Sequence, residues 1–167
     1  MTDAAPTRPP GRNAFFFVLV TVFIDHLAFG LIIPVLPTLI QELAHVPPSD
    51  ATLWLGGLAA TYAVMTFLFG PLVGALSDRF GRRPVLLVSM ATLGLDFLIM
   101  GLAPTIWLLF LGRALAGISG ATFSTANAYI ADTTTPAERG RAFGFIGASF
   151  GLGFIFGPVI GGLLGEL

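Results

Sequence analysis

The sequence contains no cysteine and no lysine, and it has little charge of either sign: 10 % of its 167 residues are charged, against roughly 25 % in soluble domains. The missing cysteine excludes disulfides, thiolate metal sites and cysteine nucleophiles. A net charge of −1 gives no sign of a nucleic-acid partner. There is no Gly-Lys-Ser/Thr phosphate loop. No catalytic residues, metal ligands or cofactor site are expected, and an enzyme is not the expected class. Apolar residues dominate instead. They make up 55 % of the chain, and the mean hydropathy is +0.90, which places the chain among membrane proteins.

Residues 1–13 are polar, hold Pro6, Pro9 and Pro10, and read as a disordered tail. A bundle over residues 14–167 follows, with apolar stretches at 14–37, 53–76, 84–102, 106–130 and 142–164. A helix needs about 20 residues to cross a bilayer core of about 30 Å. Nothing alternates with period two, and an open sheet cannot face lipid. The expected fold is all-α and polytopic. The first stretch is too long for a signal peptide, whose apolar region runs to about 7–15 residues. It reads as an uncleaved transmembrane helix.

The basic residues are all arginines, and their placement sets topology. Arg8 and Arg12 precede the first span; Arg79, Arg82 and Arg83 lie between the second and third; Arg139 and Arg141 lie between the fourth and fifth. The intervening connections carry no basic residue. The N-terminus is therefore expected on the cytoplasmic side of the membrane; the location expected with the resemblance given below is a bacterial-type inner membrane. The last span ends where the chain ends, so a piece of a longer protein is expected.

Asp25, Asp96 and Arg113 fall inside spans. Each costs about 2.5–3.5 kcal/mol at a helix centre on insertion scales, so such residues face the bundle interior and have a task there. At 1.5 Å per residue, Asp25 and Asp96 lie roughly 17–18 Å deep and Arg113 roughly 10 Å in from the other side. The three are expected within one layer, as a proton and substrate site. Burial penalises a charged carboxylate and a nearby guanidinium favours it, so such a site can take up and release a proton. A structural ion pair is the alternative. His26 either titrates near neutral pH or packs through a hydrogen bond. Asn127 either meets substrate or bonds a neighbouring helix.

In GALSDRFGRRP, Gly74 lets the second helix approach a neighbour and Asp78 can accept from helix N-terminal amides. Gly81 permits a tight turn, and Pro84 suits a first helical position. Arg82 and Arg83 can hold anionic lipid headgroups. In the fifth span, Gly153, Gly157, Gly161 and Gly165 recur at four-residue spacing, after Gly147 and Gly151. That stripe leaves one face smooth for close helix approach, and Pro158 favours a kink. Thr135-Pro-Ala-Glu138 reads as a capping box with proline at the first helical position.

These motifs carry a family resemblance. GALSDRFGRRP resembles the loop signature of the major facilitator superfamily. LGRALAGISGA, with Arg113 and Gly117, resembles its fourth-helix signature, and GLGFIFGPVIGG its antiporter signature, at Gly153, Gly157, Pro158, Gly161 and Gly162. IDHLAFGLIIPVLP, LDFLIM and YIAD look like the tetracycline–proton antiporter branch. The resemblance spans Phe15 to Leu167. It implies part of a twelve-helix transporter that exports a drug against protons by alternating access, driven by the proton gradient without a cofactor. It implies that Asp25 and Asp96 line a central cavity and that Arg113 takes part in proton coupling. Gly74, Asp78, Arg79, Gly81, Arg82, Arg83 and Asp132 would form a cytoplasmic latch. The partners implied are the bilayer, protons, a small-molecule drug or metabolite, and the C-terminal half of the same protein. His26, Leu27, Thr66, Phe123, Ser124 and Asn127 depart from the usual residues of the tetracycline branch. Transport of sugars or other metabolites, or a truncated non-transporting fragment, are the alternatives.

Overall fold

The computed structural model describes residues 12–120 and 122–165. The described residues are helical throughout their length apart from short connections, and the helices fall into five segments long and apolar enough to cross a membrane. In chain order they are α1 (Arg12–Ala44), α2 (Pro48–Phe80), α3 (Arg82–Leu102), α4 (Ile106–Ser119), α5 (Thr122–Thr133) and α6 (Pro136–Gly165). The expected all-α polytopic architecture is what forms. Residues 1–11 of the expected tail lie outside the described residues, and Arg12 and Asn13 already belong to α1.

The helices outrun the apolar stretches. Helix α1 runs through Pro34 and Pro37 to Ala44. It ends where His45 takes a left-handed φ of 55°, with the imidazole 2.6 Å from the Glu42 carbonyl. A single residue, Gly81, joins α2 to α3 at φ 95°, a backbone state that side chains with a Cβ rarely take. Pro84 is the third residue of α3, still among the first-turn positions whose N–H has no intrahelical acceptor. Pro136 opens α6. Thr135 Oγ1 donates to Glu138 Oε2 at 2.8 Å, so the expected capping pair closes on itself.

The fourth span is not one helix. It breaks into α4 and α5 at Gly120, whose φ and ψ of −70° and 37° leave the helical region. Thr66 of α2 donates to the carbonyl of Gly117 at 3.0 Å, which also accepts from the Gly120 N–H at 3.2 Å. The stretch read as one span, 106–130, runs across this interruption.

Helix α1 packs along α6, and α4 packs between α2 and α3. Apolar side chains bury in two clusters. One joins Ile32, Leu36, Ile40, Leu58, Met100 and Leu109. The other joins Val18, Val22, Leu86, Ala126, Ile130 and Ile146. On α1, α3 and the fourth span, the residues between the two clusters include Asp25, Asp96, Arg113 and Thr122. The polar layer therefore lies between two greasy ones.

The seam between α1 and α6 is built on glycine. A Cβ at Gly153, Gly157 or Gly161 would lie 2.5 Å from the carbonyl oxygen of Phe23, Leu27 or Leu31, respectively. A Cβ at Gly30 would lie 2.8 Å from Pro158 Cδ and 3.1 Å from Gly157 Cα. Gly147, Gly151 and Gly162 have no such neighbour within 4 Å among the described residues, nor has Gly74. The glycines thus divide into a packed face and an open one.

Candidate functional site

Arg113 of α4 and Asp96 of α3 form a buried ion pair. Asp96 is fully buried and Arg113 is 5 % exposed. Arg113 Nη2 also lies 3.8 Å from Met100 Sδ. Gly112 makes room for the pair, since a Cβ there would stand 2.6 Å from Asp96 Oδ1. The desolvation cost of two buried charges offsets much of their attraction, but removing one alone leaves the other stranded. Arg113 also borders a recess of about 480 Å³ between α1 and α2, lined by Phe29, Ile33, Leu55 and Tyr62.

Asp25 stands apart from that pair. Its carboxylate is 3.7 Å from His26 Nδ1 and beside the hydroxyl of Thr122 in the first turn of α5. Thr122 is 2 % exposed. Among the described residues no arginine comes within ion-pair distance of Asp25. Tyr62 of α2 lies within electrostatic reach of both Asp25 and Arg113 and adjoins Thr66. Of the three charges expected in one layer, two are paired directly, and the third has His26 as its ionisable neighbour instead.

His26 has a hydrogen-bond partner on its own helix: Nδ1 is 2.9 Å from the Val22 carbonyl. The ring packs 4.2 Å from Phe150 and 5.8 Å from Phe123, centroid to centroid. Asn127 donates to the Phe123 carbonyl one turn earlier at 2.9 Å, so its amide is held on α5.

A second constellation joins α2, α3 and α5. Arg82 donates from Nε and Nη2 to Asp132 Oδ2 at 3.1 and 2.8 Å. Its Nη1 meets Asp78 Oδ1 at 2.6 Å and Ser77 Oγ at 3.1 Å. Of the two readings of Asp78, a helix-capping acceptor and a latch residue with Arg82, its carboxylate takes the Arg82 guanidinium. Arg79 and Arg83 lie over the rings of Phe80 and Phe17 at 5.4 and 5.6 Å. Arg139 donates to the carbonyl of Ala131 at 2.9 Å.

Sequence reasoning missed Tyr62, Ser77, Gly112 and Thr122. A signal existed for Tyr62, one of two tyrosines in the chain, and it sits inside an apolar span. For the others the signal is spatial only.

Comparison with known proteins bears on this arrangement. The family model described as Major Facilitator Superfamily matches residues 18–167. The chain is 49 % identical to the class C tetracycline resistance protein of Escherichia coli over 93 % of its own length and 39 % of that protein's. It is 34 % identical to multidrug resistance protein 2 of Bacillus subtilis, covering 92 % of this chain and 37 % of the relative. Among solved structures, the human organic anion transporter MFSD10 (TETRAN) superposes with a TM-score of 0.78 at 28 % identity, over 95 % of this chain and 43 % of that one. The chain thus spans well under half the length of these relatives. With a match covering nearly all of its helices, the chain belongs to the major facilitator superfamily.

Proposed function

We propose that this chain is the N-terminal part of a proton-coupled drug exporter that works by alternating access. The observation that carries the reading is the divided charge layer: a sealed Asp96–Arg113 pair and, at similar depth, a partly exposed Asp25 with no arginine of its own among the described residues. Intramembrane charges of this kind mark proton and substrate paths. The names of the relatives, tetracycline and multidrug resistance proteins, supply the substrate class of small-molecule drugs.

In this reading Asp25 faces the drug and alternates between carboxylate and carboxylic acid. Burial favours the neutral form and a nearby positive charge favours the ionised one. Asp96 keeps Arg113 neutralised. The Asp78–Arg82–Asp132 cluster lies at the cytoplasmic end and holds α2, α3 and α5 together in one state of the cycle, while the glycine seam keeps α1 and α6 moving as one body. The second half of the protein would complete the cavity.

The test is transport by the complete protein in everted membrane vesicles. Energised vesicles should accumulate tetracycline or another drug, and a protonophore should abolish the accumulation. Gradient-independent uptake, or uptake of sugars with no drug transported, would replace this reading.

A further inference from the structure

The arginines at the α2–α3 turn are used differently. Arg82 is committed to Asp132 and Asp78. Arg83, the next residue, has no carboxylate within ion-pair distance among the described residues. It is exposed, and its guanidinium lies over the Phe17 ring at 5.6 Å. Both arginines border a recess of about 300 Å³ where ends of α1, α3 and α5 meet. Asn13 and Tyr129 bring an amide and a hydroxyl to the same recess, and Phe17 and Leu86 give it apolar walls. Leu86 is 1 % exposed and belongs to the apolar cluster beneath.

The recess therefore joins an unneutralised cation and two neutral hydrogen-bond donors to an apolar floor. Its depth follows from the helix ends. Asn13 is the second residue of α1 and Arg83 the second of α3, so the polar groups stand at the level of the lipid headgroups. Just beyond, Leu87 and Val88 of α3 are 50 and 61 % exposed, a surface suited to acyl chains. A soluble anion would use the arginine and leave the apolar part bare. An amphiphile, with its charge at one end and its chains at the other, matches both parts. Arginine placement reads this end of the bundle as cytoplasmic. That leaflet carries the anionic lipids, and basic pockets between transmembrane helices on that side bind lipid headgroups.

We propose that Arg83, Asn13 and Tyr129 form a binding site for the phosphate of an anionic phospholipid of that leaflet. Arg83 supplies the charge, and the amide and hydroxyl donate to the remaining phosphate oxygens. The Phe17 ring face holds the guanidinium over the recess. The acyl chains run along the exposed apolar side of α3. The site lies apart from the mid-membrane charge layer and does not depend on the exporter reading.

Native mass spectrometry of the purified 167-residue chain, released from dodecyl maltoside micelles with added lipid, tests it. Phosphatidylglycerol should be retained about fivefold more tightly than phosphatidylcholine with the same acyl chains, the scale of one arginine near a charged membrane surface. Arg83→Gln should abolish that preference. Arg141→Gln should keep it, because Arg141 lies over Phe145 at another connection and does not border the recess. Tyr129→Phe, which removes one hydroxyl, should weaken phosphatidylglycerol about threefold, and it gives a reading if Arg83→Gln does not fold. Equal retention of the two lipids, or equal losses in Arg83→Gln and Arg141→Gln, would overturn the proposal and leave a diffuse basic surface. Glycerol 3-phosphate bound as tightly as phosphatidylglycerol would also overturn it, since the site would then take a free phosphate.

Discussion

Gly157→Ala should loosen α6 from α1, and Gly151→Ala should not. The added methyl at position 157 would stand 2.5 Å from the Leu27 carbonyl oxygen and 2.7 Å from Gly30 Cα. Both are backbone atoms, so no rotamer change relieves the contact; the helices must separate by nearly 1 Å, and a gap of that size forfeits a quarter to a half of each dispersion contact along the seam. Overpacking of this kind costs typically ~1–3 kcal/mol. Alanine gains ~0.8–1.0 kcal/mol over glycine in helix propensity, which offsets part of it. At Gly151 the added methyl would meet no atom of the described residues within 4 Å beyond its own helix backbone, so only the propensity gain remains. The difference between the two variants isolates the packing cost, about 1–3 kcal/mol in favour of Gly151→Ala. Equilibrium unfolding of the purified chain in mixed dodecyl maltoside–SDS micelles measures it. Equal stability of the two variants would refute the claim that the glycine stripe is read by backbone contact.

The buried pair should behave asymmetrically. Arg113→Met alone should cost about 3–5 kcal/mol in the same unfolding measurement, whereas Arg113→Met with Asp96→Leu should recover most of it, since an apolar pair carries no desolvation cost. At the other constellation, Arg82→Lys should lower stability by at most ~1 kcal/mol, because Asp78 and Asp132 are largely exposed and such pairs contribute little. It should nevertheless slow transport by the complete protein, because an ammonium cannot reproduce the two-sided fork; unchanged transport would remove the latch role. The cysteine-free chain also allows a direct topology test. Ser49→Cys should react with an impermeant maleimide in intact cells, and Glu138→Cys only after permeabilisation.

Fold class was legible because bilayer physics leaves few choices. Long apolar runs without period two had to be helices. The glycine stripe was legible as a close-packing face, but not its partner; that α1 receives it follows from Gly30 and Pro158 meeting across the seam. Depth arithmetic brought Asp96 and Arg113 to one level, yet level does not specify azimuth. The structure pairs those two and turns Asp25 toward His26 and Thr122. Azimuth depends on helix rotation and on neighbours distant in sequence, such as Gly112 clearing space for Asp96. The break at Gly120 was invisible for a related reason. Beside it the Thr66 hydroxyl bonds the Gly117 carbonyl, a contact between residues 51 positions apart. Likewise Asp132 was flagged only by resemblance, and its bond to Arg82 links the ends of helices that sequence spacing cannot relate.

The central claim is that Asp25 carries the exchanged proton. Everted vesicles containing the complete protein, loaded with a pH-sensitive dye under a preformed proton gradient, test it directly. Adding drug should release protons from vesicles with the parent protein, and Asp25→Asn should abolish both the drug-induced proton flux and gradient-driven drug uptake while the protein remains folded and inserted. Drug-induced proton flux of unchanged size in Asp25→Asn would contradict the account.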